Sequence, residues 1–154
     1  MGIEIERKFL VAGDGWRQGA LGTPLAIRQG YLSTGQGPSV RLRRAGEAAF
    51  LTVKGPGGKV RAEFEYAIPA EDAEAMLALC PAPPLSKTRW SVPHQGHVWT
   101  VDVFEAPARL VGLVLAEVEL ASEGIDPPLP GWLGREVTDD PRYSNAALAI
   151  GGIP

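Results

Sequence analysis

Residues Ile3-Glu4-Ile5-Glu6-Arg7-Lys8-Phe9 decide how this chain is read. In a β-strand successive side chains point to opposite faces, so residues two apart share one. Glu4, Glu6 and Lys8 then lie on one face, with Ile3, Ile5 and Phe9 on the other. The same split recurs downstream. Arg41 and Arg43 oppose Val40 and Leu42, and Thr52 and Lys54 oppose Leu51 and Val53. Arg61, Glu63 and Glu65 oppose Val60, Phe64, Tyr66 and Ile68, and Lys87 and Arg89 oppose Thr88, Trp90 and Val92. Asp102 opposes Val101 and Val103, and Glu117 and Glu119 oppose Val114, Val118 and Leu120.

These stretches belong to eight strand-like segments, near residues 3–11, 25–33, 38–44, 49–54, 60–68, 85–92, 97–105 and 110–121. Gly-Glu-Ala at 46–48 and Gly-Pro-Gly-Gly at 55–58 read as hairpin turns, which makes their flanking strands antiparallel neighbours. Two helices are expected. One opens at Pro69-Ala70-Glu71-Asp72, runs to Leu79 and stops at Pro81. The other lies near the end, with Asp139 or Asp140 as cap, Pro141 at its first position and Asn145 to Ile150 continuing it before Gly151-Gly152. Trp16 and Trp132, in Gly- and Pro-rich connections, read as covers over apolar surface. No domain boundary or solenoid-period repeat is visible, so residues 1–154 read as one mainly β domain.

Two architectures satisfy the alternation. An open sheet could pack its apolar face on helices and wet its charged face. Alternatively the sheet closes into an eight-stranded antiparallel barrel with a charged interior and a few peripheral helices. The second is favoured for two reasons. An ordinary wet face mixes Ser, Thr, Asn, Gln and Lys, whereas this one is nearly all Arg, Lys and Glu, and takes in seven of the 15 basic residues. Two helices are also too few to cover eight apolar strand faces lying flat.

The residue types then suggest a chemistry. Arg presents a planar fork of donors matched to phosphate oxygens, and Lys adds a point charge. Several such cations converging in a barrel repel one another unless an anion joins them, and a polyphosphate supplies one. Glutamates two apart on facing strands can close around a hard cation such as Mg²⁺, which takes oxygen ligands and shares them with phosphates. Metal on one wall and a phosphate clamp on the other would stabilise an in-line attack of water at phosphorus.

The bulk properties agree. Composition is 45% hydrophobic and 21% charged with a formal net charge of −3, which fits a globular protein and not a strongly basic nucleic-acid binder. No apolar run is long enough to span a bilayer, so no membrane partner is expected. The opening Met1-Gly2-Ile3-Glu4-Ile5-Glu6 lacks the features of a secretory leader, and Glu6 breaks the myristoylation pattern. The lone Cys80 reads as a packed or partly exposed thiol, and a reducing cytoplasm is the expected location. His94 and His97 flank a Gly-containing turn and do not form a metal site, and Gly55 to Lys59 lacks the ending of a phosphate loop.

The ordered motifs Glu4-Ile5-Glu6-Arg7-Lys8, Arg28-Gln29-Gly30-Tyr31-Leu32, Val40-Arg41-Leu42-Arg43, Leu51-Thr52-Val53-Lys54, Arg61-Ala62-Glu63-Phe64-Glu65, Lys87-Thr88-Arg89, Trp99 to Phe104 and Leu115 to Leu120 resemble the CYTH, or triphosphate tunnel metalloenzyme, family. Val137-Thr138-Asp139 and Arg142-Tyr143-Ser144-Asn145 are similar to its short bacterial members. The resemblance implies an eight-stranded tunnel, a divalent metal (Mg²⁺ or Mn²⁺) and a small-molecule triphosphate or polyphosphate substrate. It implies Glu4, Glu6, Glu117 and Glu119 as metal ligands, and Lys8, Arg41, Arg43, Lys54, Arg61, Lys87 and Arg89 as the phosphate clamp. It implies catalytic roles for Lys8, Lys87, Glu63 and Glu65, the two glutamates holding the basic residues in place and tuning the site. Asp102 is a weaker candidate for the metal or water shell, Tyr31 for a latch at a tunnel mouth together with the last helix, and Arg28 for an unassigned role.

Hydrolysis of inorganic tripolyphosphate to pyrophosphate and phosphate is the expected reaction. Nucleoside or thiamine triphosphate hydrolysis uses the same parts. A CYTH-type adenylate cyclase would be longer and carry a His-Phe element near its start, which is absent here. A non-catalytic triphosphate-binding module would use the cations but gain little from clustered glutamates. Oligomeric state is left open by the sequence.

Overall fold

The computed structural model describes residues 2–33 and 37–154. Nine strands form one sheet: β1 (Ile3–Val11), β2 (Leu21–Ser33), β3 (Ser39–Ala45), β4 (Ala48–Lys54), β5 (Val60–Ala67), β6 (Leu85–His94), β7 (His97–Ala106), β8 (Val114–Glu119) and β9 (Leu133–Glu136). Their order is β5-β4-β3-β2-β6-β7-β8-β1-β9, and β5 pairs with β1 to close the first eight into an antiparallel barrel. Closure removes the sheet edges that would otherwise expose unpaired backbone groups. The register at the seam places Glu4 opposite Arg61. β9 takes over the same edge of β1 further along, with Phe9 opposite Glu136.

The turns follow from their residues. Gly46 takes a positive φ of +60° between β3 and β4, and Gln95 (+45°) and Gly96 (+84°) join β6 to β7 with both central residues left-handed. The helix α1 (Ala70–Leu77) begins after Pro69 and carries Glu71 and Asp72 in its first turn. It packs outside β2, β3 and β4, burying Ala73 and Leu77. That approach needs Gly30, where a Cβ would lie 2.8 Å from Cys80 Sγ and 3.1 Å from a Leu77 methyl. The last helix, α2 (Asn145–Gly151), buries Leu148 and Ala149.

Apolar side chains divide into two clusters. One lies outside the barrel around Trp99, Trp16, Phe9, Val101 and Val118, with Trp132 edge-on to Trp99 at 6.1 Å. Trp16 and Trp132 are thus covers, as their surroundings in sequence imply. The other cluster joins Tyr31, Leu85, Phe104 and Leu115 to Leu148 and Ala149 of α2, with Leu10 against it. Leu10 and Leu115 share their strand faces with Lys8 and Glu117, so the inner face is charged along part of its length and apolar at the end where α2 seats.

Several local expectations are corrected. Asp140 caps not α2 but a separate 3-10 turn, Pro141–Tyr143, by accepting from the Arg142 amide at 3.1 Å. Ser144 caps α2, accepting from the Ala147 amide at 3.1 Å. The segment expected to be strand from residue 110 is a 3-10 turn (Ala108–Leu110) before the shorter β8. Leu133–Glu136, outside the eight expected segments, pair as β9 because the β1 edge beyond Ile5 is left open by β5.

Leu148 is fully buried between α2 and the barrel. Leu148→Ala is expected to lower unfolding stability by about 2–5 kcal/mol in chemical denaturation, the cost of a core cavity.

Candidate active site

The barrel encloses a cavity of about 530 Å³. Seven cations line it, namely Lys8, Arg41, Arg43, Lys54, Arg61, Lys87 and Arg89, together with six glutamates, Glu4, Glu6, Glu63, Glu65, Glu117 and Glu119. Alternation on six strands and the seam between β5 and β1 bring these thirteen side chains together. Tyr31, Ser144 and Asn145 line it where α2 closes the apolar end.

The charges pair between strands, adjacent ones or ones a single strand apart. Glu4 accepts from Lys54 Nζ at 2.9 and 3.1 Å and from Arg61 Nε at 3.3 Å. Arg61 Nη2 also lies 3.6 Å from Glu6. Burial would raise the Glu4 carboxyl, but Lys54 and Arg61 outweigh it and hold it at about 2. Glu6 has the opposite fate. Burial, then the carboxylates of Glu117 and Glu4, push it up to about 8. Glu63 is also raised, by burial and a hydrogen bond with Glu4. Glu117 stays well below the carboxylate range because Lys8, Arg89 and Lys87 overcome its burial. Glu6 lies directly across from Glu119, and Lys8 from Glu117, on β1 and β8.

The opposite wall is cationic. Arg41 is 6% exposed and donates from Nη2 to Thr52 at 3.2 Å, with Glu65 at 3.5 Å. Its Nε is buried and has no partner among the described residues. Burial and the neighbouring Arg41 and Arg89 pull the Arg43 guanidinium down to about 10. Lys87 and Arg89 share one carboxylate, Asp102. Lys87 Nζ lies 2.7 Å from one oxygen, and Arg89 donates to both at 2.7 and 2.8 Å. Burial opposes ionisation of Asp102, yet the two cations keep it ionised at about 2. Burial draws Lys87 down to about 7, with Arg89 and Arg43 adding to the effect against the pull of Asp102.

The donor set fits a hard divalent cation. It is all carboxylate oxygen, and Glu6 is a buried carboxyl raised by two carboxylate neighbours, an arrangement that a cation between them relieves. Among the described residues no three of these side chains already converge as a cage, because Glu4 is engaged by Lys54 and Arg61.

A family model described as the CYTH domain matches residues 2–146. The chain belongs to the CYTH domain family. It is 43% identical over 150 residues to an inorganic triphosphatase of Acetivibrio thermocellus, covering 96% of this chain and 94% of that one. It is 41% identical over 155 residues to an inorganic triphosphatase of Nitrosomonas europaea, covering 96% and 97%. A crystal structure of an inorganic triphosphatase superposes with a TM-score of 0.67 at 37% identity, covering 98% of this chain and 96% of that one.

Two candidates of this CYTH domain, Arg28 and Asp102, do not line the cavity. Arg28 points outward and pairs with Glu74 of α1 at 2.6 Å, because it follows the outer face of β2. Asp102 is 1% exposed beneath the cations, and Lys87 and Arg89 engage both its oxygens, so it holds that cation pair together. Sequence reasoning also missed Gln29, Thr52 and Asn145, which bond to Arg43, Arg41 and Lys87. The alternation that exposed Arg41 also places Thr52 inward, and Gln29 stands two before Tyr31. Nothing in the local pattern marks Asn145, which reaches the site through the docking of α2.

Asp102→Ala leaves the buried Lys87 and the half-buried Arg89 without their carboxylate and is expected to lower unfolding stability by about 3–5 kcal/mol. Arg28→Ala should shift stability by no more than about 0.5 kcal/mol. Denaturant titration of both variants checks the contrast.

Proposed function

We propose that this protein is a hydrolase that cleaves inorganic tripolyphosphate to pyrophosphate and phosphate, with Mg²⁺ or Mn²⁺ as cofactor. The observation that carries the reading is the pairing of an arginine- and lysine-lined wall with a glutamate wall inside one closed barrel. Support comes from the two relatives that are themselves inorganic triphosphatases at 41–43% identity over nearly their whole length. A divalent metal requirement is what the family implies.

The roles follow from position. Arg41, Arg43, Lys87 and Arg89 bind and orient the phosphate oxygens, and the partnerless Arg41 Nε is a buried donor ready for one of them. Lys54, Arg61 and Lys8 sit between the two walls and pair with Glu4, Glu6 and Glu117. Their position suits charge building on the reacting phosphate and the leaving pyrophosphate. Lys8 and Lys87 are the catalytic cations in this scheme. Glu63 and Glu65 hold Lys54 and Arg41 in place. Glu6, Glu117 and Glu119, with Glu4, would hold the metal. Bound there, a divalent ion supplies Lewis-acid stabilisation of phosphate charge and lowers the pKa of the attacking water. The apolar end sealed by α2 and Tyr31 limits the tunnel's depth and favours a short linear substrate.

Glu6→Ala and Glu119→Ala are expected to abolish metal-dependent phosphate release while circular dichroism stays native. Near-normal turnover in either would remove it from the metal set. Arg41→Ala should weaken tripolyphosphate binding by about 1.5–3 kcal/mol, seen chiefly as a higher KM. An unchanged KM would mean that Arg41 does not touch substrate.

A further inference from the structure

Between the cations of the clamp runs a short chain of neutral amides. Lys87 Nζ donates to Asn145 Oδ1 at 2.9 Å, beside its ion pair with Asp102. Arg43 Nε donates to Gln29 Oε1 at 2.8 Å. Gln29 Nε2 then donates to Asn145 Oδ1 at 3.2 Å and to the Tyr31 hydroxyl at 3.0 Å. Lysine and arginine can only donate, so the amide atoms facing Lys87 and Arg43 must be oxygens. That fixes the orientation of both amides and aims the Gln29 NH₂ at Asn145. Gln29 is fully buried, and its side chain has no solvent to fall back on.

A carboxylate would bind either cation more strongly than an amide does. Asp102 plays that part for Lys87 and Arg89. At Gln29 and Asn145 the acceptors are neutral, although Asn145 opens α2, where the helix dipole would favour a carboxylate. A neutral acceptor orders a donor without cancelling its charge. We infer that Gln29 and Asn145 are positioning residues of the clamp: they hold Arg43 and Lys87 in place across β2, β3, β6 and α2 while adding no negative charge beyond that of Asp102, and so set the affinity for the triphosphate. This inference rests on the triphosphatase reading.

The test uses isosteric charge changes in the full-length protein. Asn145→Asp and Gln29→Glu each add a carboxylate without altering shape, and Asn145→Ala removes the contact. For each, the melting temperature, the Kd for tripolyphosphate without metal by calorimetry, and kcat and KM with metal are measured. Asn145→Asp is expected to melt no lower than the wild type, since it gives Lys87 a stronger partner, whereas Gln29→Glu melts lower because a carboxylate oxygen then faces the Asn145 oxygen to which the Gln29 NH₂ donated. Both should lose about tenfold or more in affinity, with the loss falling on KM more than on kcat. A merely structural role gives the opposite order, in which Asn145→Ala melts lowest and binds worst while Asn145→Asp binds like wild type; that result overturns the inference alone. If buried Gln29→Glu does not fold, the half-buried Asn145→Asp carries the test. A wild type that neither binds nor hydrolyses tripolyphosphate overturns the triphosphatase reading itself, before any variant is compared.

Discussion

Closure of the sheet between β5 and β1 is the constraint on which everything else depends. At that seam Glu4 faces Arg61, and the charged faces of all the strands turn toward one another. Seven cations and six glutamates are thereby confined in about 530 Å³. Such a density of charge away from bulk water is tolerated only where opposite charges interleave and every donor finds an acceptor. The structure meets most of that demand by cross-strand pairing, as with Lys54–Glu4 and Arg89–Asp102. Where it does not, at the Arg41 Nε and among the carboxylates around Glu6, the unmet demand has the chemistry of an anion and a cation respectively.

The packing outside the barrel serves that interior. α1 covers β2, β3 and β4, which carry Arg41 and Arg43, and the Trp99 cluster backs β1, β7 and β8, which carry most of the carboxylates. α2 is different in kind, since it seats on the apolar end of the inner face and delivers Asn145 to Lys87. The burial that stabilises the fold and the hydrogen bonds that order the clamp therefore meet in one short helix.

Much of this was legible in the alternation itself. A strict two-residue period of charge along β1, β3, β5, β6 and β8 requires one charged face per strand, and too few helices remain to cover an open sheet. That reasoning reaches the barrel and its thirteen lining charges. What the pattern could not supply were features set by tertiary context. β9 forms because an edge of β1 is left free, and its own sequence in a Pro- and Gly-rich stretch gives no strand signal. Asp102 has the period of a lining residue yet lies under Lys87 and Arg89, because the interior is fuller there than a period can reveal. Arg28 belongs to a family-like motif but sits on the outer face, where Glu74 of α1 meets it.

If the two walls act together on a linear triphosphate, turnover needs both the tripolyphosphate and a divalent ion. The most direct measurement is release of phosphate from tripolyphosphate, pyrophosphate and ATP, each with Mg²⁺, Mn²⁺ or EDTA, with products identified. Metal-dependent release from tripolyphosphate, abolished by EDTA and leaving pyrophosphate as an uncleaved product, is the expected result. Tight binding of tripolyphosphate with no release under any metal would contradict it and make the tunnel a binding module.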